Sequence, residues 1–163
     1  MPAGLPRRYS RPVGDLLLAG VRVLLVEDSY DTREGIRVLL KQQGAEVTAV
    51  SSAAEALAAF REARPHVLLS DIGLEGPDGC ELLRSVRQLG AEHGGDVPAA
   101  AITAYGTSEH RVRALKSGFW DYVCKPVDTE LLVTVVAGVV RSAASRPLWT
   151  TQLPGPAGGQ TER

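Results

Sequence analysis

The run Val-Arg-Val-Leu-Leu-Val at residues 21–26 is mostly apolar and is followed at once by Glu27 and Asp28. An apolar run of this length is typical of a strand that is buried on both faces of a parallel sheet. The same pattern returns at residues 66–70, where His-Val-Leu-Leu-Ser is followed by Asp71. Both runs therefore predict buried strands that deliver carboxylates to their carboxyl ends.

Strand and helix patterns alternate along the rest of the chain. Further strands are predicted at about residues 45–50, 97–102 and 119–124, and helices at about 31–43, 52–62, 80–89, 108–117 and 128–141. Five strand–helix units in strict alternation predict an α/β fold, with a doubly wound parallel sheet and helices on both faces. In such sheets the functional residues lie beyond the carboxyl ends of the strands.

Polar residues occupy four of these strand ends: Glu27 and Asp28, Asp71, Thr103, and Lys125. Because the strands are parallel, we expect these side chains to converge on one edge of the sheet. Crowded carboxylates repel one another and need a cation, and hard oxygen ligands favour Mg²⁺ or Mn²⁺. With such an ion a carboxylate can attack phosphorus and form an acyl phosphate, whose oxygens the lysine and threonine would stabilise.

Composition excludes several classes of protein. The chain has 163 residues, of which 44% are hydrophobic and 23% charged, as is ordinary for one globular domain. A net charge of −1 argues against a nucleic-acid partner or an anionic membrane bound through bulk charge.

Cys80 and Cys124 form no CxxC pair, so neither a disulfide scaffold nor a zinc site is indicated. No stretch approaches the ~20 apolar residues of a membrane span, and we expect a cytoplasmic protein.

The two ends of the chain differ from its middle. Residues 1–19 contain three prolines and few apolar residues before Leu16, which predicts a flexible arm. Residues 142–163 are rich in proline, glycine and polar residues, which predicts a disordered tail. The folded domain is therefore expected to span residues 20–141.

Over residues 20–141 the chain resembles the receiver domain of two-component response regulators. The matching pieces are VLLVEDS (23–29), LLSDIGLEGPDG (68–79), ITAYG (102–106) and KSGFWDYVCKPVD (116–128). The resemblance implies the flavodoxin-like receiver fold with strand order 2-1-3-4-5, as in the chemotaxis receiver protein. The loop pattern and the KPVD ending look most like the receivers of hybrid sensor kinases.

The resemblance also implies roles for the acids. Asp71 would accept a phosphoryl group from a phosphohistidine of a histidine kinase or phosphotransfer protein. Glu27, Asp28 and Asp71, with the backbone carbonyl of Gly73, would bind Mg²⁺ (or Mn²⁺). In this family Gly73 and Tyr105 occupy positions that tune phosphate lifetime, and here they suggest slow self-dephosphorylation.

Thr103 and Lys125 match the hydroxyl and the lysine of the family, and the Lys125–Pro126 bond resembles its usual cis peptide. Phosphate on Asp71 would draw the Thr103 hydroxyl inward. Tyr122, three residues before the lysine, would then move from exposed to buried. This switch would reshape the surface formed by residues 107–141.

The last predicted helix has no charged residue from Leu131 to Val140. One stripe is expected to face the sheet: Leu131, Leu132, Val135, Val136 and Val139. This leaves three apolar residues outside: Val133, Ala137 and Val140. An exposed apolar patch usually marks an interface. Its cover would be the chain's own arm (Leu16–Leu18) or tail (Trp149), or a homodimer or docking partner on the 107–141 face.

Three functions compete. The first is a single-domain response regulator, a signalling receiver rather than an enzyme, because no second domain follows residue 141. It would act through phosphorylation-dependent binding of a downstream protein or through a phosphorelay. The second is a module of the same fold that binds or dimerises without phosphorylation, which the apolar last helix suits. The third is a flavin carrier or enzyme, but Glu-Asp-Ser-Tyr-Asp at 27–31 would repel a phosphate without metal, and no P-loop is present.

Overall fold

The computed structural model describes residues 16–104 and 108–144. Its strands and helices alternate in chain order: β1 (Arg22–Val26), α1 (Tyr30–Gln42), β2 (Glu46–Val50), α2 (Ala53–Ala63), β3 (Val67–Asp71), α3 (Gly79–Arg87), β4 (Ala99–Thr103), α4 (Ser108–Lys116), β5 (Asp121–Cys124) and α5 (Thr129–Ala144). A short 3-10 turn at Ala91–His93 lies between α3 and β4. All ten predicted elements are present, and their ends agree with the predictions to within three residues.

The five strands form one parallel sheet in the order β2-β1-β3-β4-β5. At its carboxyl edge the register pairs Val26 with Ser70, Asp71 with Ile102, and Thr103 with Cys124. The ends of β1, β3, β4 and β5 therefore lie side by side. The predicted doubly wound fold and its strand order are confirmed.

Two apolar cores lie on opposite faces of the sheet because successive strand residues point in opposite directions. In β1, Val23 and Leu25 belong to the core that α1 and α5 cover, whereas Leu24 and Val26 belong to the core under α2 and α3. Every residue of β3 and β4 is buried. These two interior strands hold the carboxyl edge of the sheet in place.

The two helices that begin closest to the acids, α1 and α3, each start at a side-chain cap. Ser29 accepts a hydrogen bond from the Thr32 N–H at the start of α1. Asp78 caps α3 and forms a reciprocal capping box with Glu81. Such caps stabilise a helix by about 1 kcal/mol, and here they also fix the loops that precede the helices.

The predicted orientation of α5 is wrong at three positions. Val133 and Ala137 are only 5% and 6% exposed, whereas Leu131, expected to face the sheet, is 49% exposed. The reason is cover from the side. Leu18, which lies before β1, and Leu40 of α1 belong to the same core as the α5 residues. They bury a flank of α5 that the sheet alone would leave exposed.

The folded unit is also longer than predicted at both ends. The Leu18 N–H donates to the Gln43 carbonyl oxygen at 2.9 Å, and its side chain is fully buried, so the last residues of the predicted 1–19 arm are structured. α5 continues to Ala144, into the predicted 142–163 tail. Residues 1–15 and 145–163, with Trp149, and the predicted site residue Tyr105 lie outside the described residues. Within the described ranges, no helix is both long and apolar enough to cross a membrane.

Candidate functional site

Glu27 and Asp28 follow β1 directly, but their side chains differ in exposure. Glu27 is fully buried, while Asp28 is partly exposed. The Ser29 N–H donates to Glu27 Oε2 at 3.0 Å, and the Arg33 guanidinium donates to the Glu27 carbonyl oxygen at 2.9 Å. These bonds fix the turn from β1 into α1 and hold both the backbone and the carboxylate of Glu27.

Asp71 ends β3, and its exposed fraction is 4%. Its Oδ1 accepts a hydrogen bond from the Gly73 N–H at 2.9 Å, and its Oδ2 accepts one from Lys125 Nζ at 3.1 Å. Each carboxylate oxygen thus has a donor from a different segment. The loop after β3 and the end of β5 together set the orientation of this side chain.

Lys125 follows β5 and joins the two buried acids. Its Nζ lies 3.0 Å from Glu27 Oε1 and 3.1 Å from Asp71 Oδ2. Its N–H donates to the Thr103 carbonyl oxygen at 2.8 Å, and its bond to Pro126 is cis, as the resemblance implied. Burial acts to lower the pKa of Lys125, but the carboxylates of Glu27 and Asp71 outweigh it and raise the pKa. The ammonium form is therefore favoured.

Glu27, Asp28 and Asp71 lie close enough to bind one ion together, since each offers a carboxylate oxygen within 4.8 Å of the others. Burial and the charge of Asp71 raise the pKa of Glu27, against the opposing effect of the Ser29 N–H and the Lys125 ammonium. The Lys125 ammonium contacts two of these three carboxylates, and a divalent cation would relieve the remaining repulsion. A set of oxygen donors fits Mg²⁺ or Mn²⁺ rather than a metal that prefers thiolate or imidazole.

The loop after Asp71 packs beside this cluster. The Glu75 N–H donates to Asp28 Oδ2 at 3.3 Å, and the Leu74 side chain is 6% exposed and packs in the core under α2 and α3. The exposed Glu75 side chain therefore begins next to the acids and adds a negative charge beside them. Gly73 lies in the same loop and is exposed; the role of its carbonyl as a metal ligand stays a prediction.

The two predicted switch residues lie on neighbouring strands. Thr103 ends β4 and is 2% exposed. Tyr122 pairs with Ala101 across β4 and β5, and its side chain is half-buried. The guanidinium carbon of Arg111 from α4 lies 5.3 Å from the centroid of the Tyr122 ring, within range of a cation–π attraction. Apart from Tyr105, which is outside the described residues, the predicted site residues thus lie at or beside one edge of the sheet.

An ionic contact beside the site was missing from the sequence interpretation. Arg113 of α4 binds Asp78, with Nη2 at 2.5 Å from Oδ2. The spacing of Asp78 and Glu81 does signal a capping box. The pairing with Arg113 spans 35 residues, and no local pattern indicates it.

Comparison with known proteins identifies the family. The sequence profile of the response regulator receiver domain matches residues 23–137. An uncharacterised 14.6 kDa protein from the sodA1 3′ region of Leptolyngbya boryana is 43% identical over 119 residues, which cover 73% of this chain and 89% of that protein. The transcriptional regulatory protein CseB of Streptomyces coelicolor is 36% identical over 119 residues, which cover 73% of this chain and 49% of CseB.

Solved structures agree. The chemotaxis protein CheY4 of Vibrio cholerae is 27% identical with a TM-score of 0.69, and the match covers 74% of this chain and 99% of CheY4. The chain spans most of the Leptolyngbya protein, about half of CseB, and a still smaller share of the sensor histidine kinases that match it. With a five-stranded sheet of order 2-1-3-4-5 and a profile match over residues 23–137, this chain belongs to the response regulator receiver domain family.

Proposed function

We propose that this chain accepts a phosphoryl group on Asp71 from a phosphohistidine of a histidine kinase or phosphotransfer protein, with Mg²⁺ or Mn²⁺ required. The observation that carries the proposal is the Asp71 carboxylate itself. It is 4% exposed, oriented by the Gly73 N–H and Lys125, and placed beside two further acids. The output would be phosphorylation-dependent binding of a downstream protein or relay of the phosphoryl group.

In the proposed transfer, the phosphoryl group moves from the imidazole of the phosphohistidine to the Asp71 carboxylate. One carboxylate oxygen attacks the phosphorus of the phosphohistidine, and the P–O bond forms as the P–N bond breaks. The electron pair leaves with the imidazole nitrogen, which takes up a proton. Lys125, 3.1 Å from Asp71 Oδ2, is placed to neutralise charge on a phosphoryl oxygen, and we assign the Thr103 hydroxyl to another.

The proposed metal ligands are the carboxylates of Glu27, Asp28 and Asp71 together with the Gly73 carbonyl oxygen. When bound, the ion would supply positive charge where the acids and the phosphoryl oxygens meet. Within the described residues of this cluster, Lys125 is the ammonium that contacts the acids, and it carries one charge against three. We therefore expect little phosphoryl uptake without a divalent cation.

The proposed output surface includes exposed apolar side chains on α4 and α5. Val112, Leu115 and Leu131 are 47%, 49% and 49% exposed, and all three belong to the predicted 107–141 face. Apolar exposure of this kind supports docking of a partner or of a second copy of the chain. We propose that Thr103 and Tyr122 link phosphorylation to this face.

We propose three further properties of the chain. The single-domain form is supported by the Leptolyngbya relative, of which this chain spans 89%. Slow self-dephosphorylation is supported by Gly73, which has no side chain to orient a water molecule. A cytoplasmic location follows from the proposed meeting with a kinase phosphohistidine.

The competing module that acts without phosphorylation has less support than the sequence suggested. Its main argument was the apolar surface expected on the last helix. Val133 and Ala137 are buried within the chain itself, so the apolar flank of α5 needs no partner to cover it. The exposed Val112, Leu115 and Leu131 are compatible with both functions.

Incubation with a small acyl phosphate donor, followed by intact-mass measurement and size-exclusion chromatography, tests the proposal. We expect the wild type to gain one phosphoryl group only when Mg²⁺ is present. Asp71→Asn should gain none, and Asp96→Asn, which changes an exposed aspartate, should behave as wild type. A change in elution after phosphorylation would indicate that the output is self-association of the chain.

The contrary result would be no uptake by the wild type although Mg²⁺ binds. Because Glu75 adds negative charge beside the acids, the same assay on Glu75→Ala and with a phosphorylated kinase domain would exclude a blocked donor. No uptake in all three assays would favour the phosphorylation-independent module.

A further inference from the structure

The loop between Asp71 and α3 is fastened at both ends. At its beginning, the Gly73 N–H donates to Asp71 Oδ1 at 2.9 Å. At its end, Asp78 Oδ1 accepts from the Glu81 N–H at 2.9 Å, and the Asp78 N–H donates to Glu81 Oε1 at 3.2 Å. Asp78 is therefore the residue at which this loop becomes helix.

The end of the loop packs directly on the backbone of Asp71. The Gly79 N–H donates to the Ile72 carbonyl oxygen at 3.0 Å. A Cβ atom added at Gly79 would overlap the carbonyl oxygen of Asp71 and crowd the Cα of Ile72. Because the backbones of Gly79 and Asp71 pack this closely, we expect a displacement of Asp78 and Gly79 to be passed to Asp71.

Arg113 connects this end of the loop to α4. Its Nη2 lies 2.5 Å from Asp78 Oδ2, the carboxylate oxygen that does not cap α3. Burial acts to raise the pKa of Asp78, but the Glu81 N–H and Arg113 outweigh it and lower the pKa. The same contact raises the pKa of Arg113. The two side chains are therefore held as an ion pair.

Most side chains of α4 lie at the surface. Ala114 is its one fully buried side chain, and most of the rest are exposed, including Val112 and Leu115. Arg111 contributes the contact with the Tyr122 ring. The Arg113–Asp78 ion pair therefore adds a direct link between α4 and the end of the loop.

We propose that Arg113 is a positioning residue for the phosphoacceptor, acting through Asp78 on the loop that orients Asp71. The ion pair couples the position of α4 to the geometry of the Asp71 carboxylate. Coupling of this kind is reciprocal, so a partner that moves α4 would change the reactivity of Asp71, and phosphorylation would change the hold on α4. This inference rests on the proposed phosphorylation of Asp71.

The test compares Arg113→Gln, Asp78→Asn and the double variant, with Lys116→Gln as the matched control on α4. Asparagine keeps an oxygen that can cap α3, but it removes the charge and replaces the oxygen that accepts from Arg113 with an NH2 group. Lys116 is exposed and has no ion pair among the described residues, so its substitution removes an equal charge from the same helix. Arg113→Lys restores the charge without the guanidinium geometry.

Two measurements are made on each variant. Amide hydrogen exchange of residues 72–81 reports the hold on the loop without any phosphoryl donor. Phosphorylation by acetyl phosphate with Mg²⁺, followed over a range of donor concentrations, separates the maximal rate from the donor concentration at half-maximal rate. The maximal rate reports the orientation of Asp71 rather than the capture of the donor.

We expect Arg113→Gln and Asp78→Asn each to speed exchange in residues 72–81 by about two- to fivefold, the range of an exposed ion pair. The maximal phosphorylation rate should change by a similar factor with the half-saturating donor concentration unchanged. The double variant should be no more affected than either single variant, Arg113→Lys should recover part of the effect, and Lys116→Gln should match wild type.

The inference is overturned if Arg113→Gln equals Lys116→Gln, or if the two single substitutions add in the double variant. It is also overturned if exchange increases while the maximal phosphorylation rate stays that of wild type, because the contact would then be merely structural. Failure of the wild type to be phosphorylated by any donor would instead refute the proposed function. In that case, faster exchange of residues 72–81 in Arg113→Gln than in Lys116→Gln would still show that the Arg113–Asp78 ion pair holds the loop.

Discussion

Lys125 allows two buried acids to coexist at the carboxyl edge of the sheet. Its ammonium lies within 3.1 Å of both Glu27 and Asp71, and burial raises the pKa of Glu27 despite that contact. Without the lysine, the repulsion between the two acids would be offset only by neutral donors such as the Ser29 N–H on Glu27 and the Gly73 N–H on Asp71 among the described contacts. The Lys125 ammonium and a bound divalent cation would thus both offset the negative charges of Glu27 and Asp71.

Lys125→Met should destabilise the protein in a way that Mg²⁺ partly reverses. Removing one partner of a buried ion pair costs about 3–5 kcal/mol, and because the Lys125 side chain is 25% exposed we expect about 1–3 kcal/mol. Urea unfolding with and without MgCl₂ measures both effects. Lys116→Met is the control and should unfold as wild type; a Lys125→Met variant with wild-type stability would contradict the role of the ammonium.

His66 should make stability fall as the solution becomes acidic. Its Nδ1 accepts a hydrogen bond from the Arg22 N–H at 2.9 Å, which only the neutral ring can do at that nitrogen. Burial and the charge of Arg22 lower its pKa below the ordinary 6.5, against the opposing charge of Glu46. The folded state therefore disfavours the proton, and the stability due to neutral His66 is lost as pH falls below 6.5.

Chemical denaturation at several pH values between 5 and 8 checks this effect. His66→Asn keeps an acceptor that does not titrate, so we expect a flatter dependence of the unfolding free energy on pH. His93→Asn alters a histidine that, like His66, is exposed, and it should keep the wild-type slope. Equal slopes for His66→Asn and wild type would show that His66 does not contribute.

At the scale of elements, α5 shows where sequence periodicity stops being informative. The absence of charge from Leu131 to Val140 correctly indicates a largely buried helix, but not which flank is covered. That depends on α1 and on the turn before β1, which pack beside α5 although they lie far away in the sequence. Leu18 therefore belongs to the core rather than to an arm.

Leu18→Ala should lower the free energy of unfolding by about 2–5 kcal/mol, because Leu18 is fully buried and its truncation leaves a cavity. Leu16→Ala is the matched control: Leu16 is 50% exposed, and we expect a change of no more than about 0.5 kcal/mol. Urea unfolding measures both. If the two variants were equally stable, the folded unit would begin after Leu18, as the sequence first suggested.

At the scale of the whole molecule, the parallel order of the strands explains why the site could be predicted. Residues that follow buried strands meet at one edge, so Asp71, Thr103 and Lys125 could be grouped from their positions alone. Contacts between helices could not, because they depend on packing rather than on register. Arg113 with Asp78 is the example, since Arg113 lies on α4 and Asp78 caps α3.

Phosphorylation should change the exposure of Tyr122 if the phosphorylation site is coupled to the 107–141 face. Tyr122 is half-buried beside Arg111, and its inward movement would remove it from solvent. Nitration of tyrosines followed by peptide mass spectrometry should show less modification of Tyr122 after treatment with acetyl phosphate and Mg²⁺. Asp71→Asn, treated identically, should show no decrease, and an unchanged wild type would contradict the switch.

The most direct test of the central claim is to find the atom that carries the phosphoryl group. An acyl phosphate is reduced by borohydride to an alcohol with loss of phosphate, which leaves a stable mark on the acceptor. After phosphorylation with Mg²⁺, reduction and proteolysis, peptide mass spectrometry should locate the alcohol at the Asp71 side chain. A mark on Asp28, Asp78 or another acid, or no mark on a protein that has gained the phosphoryl mass, would contradict Asp71 as the phosphoacceptor.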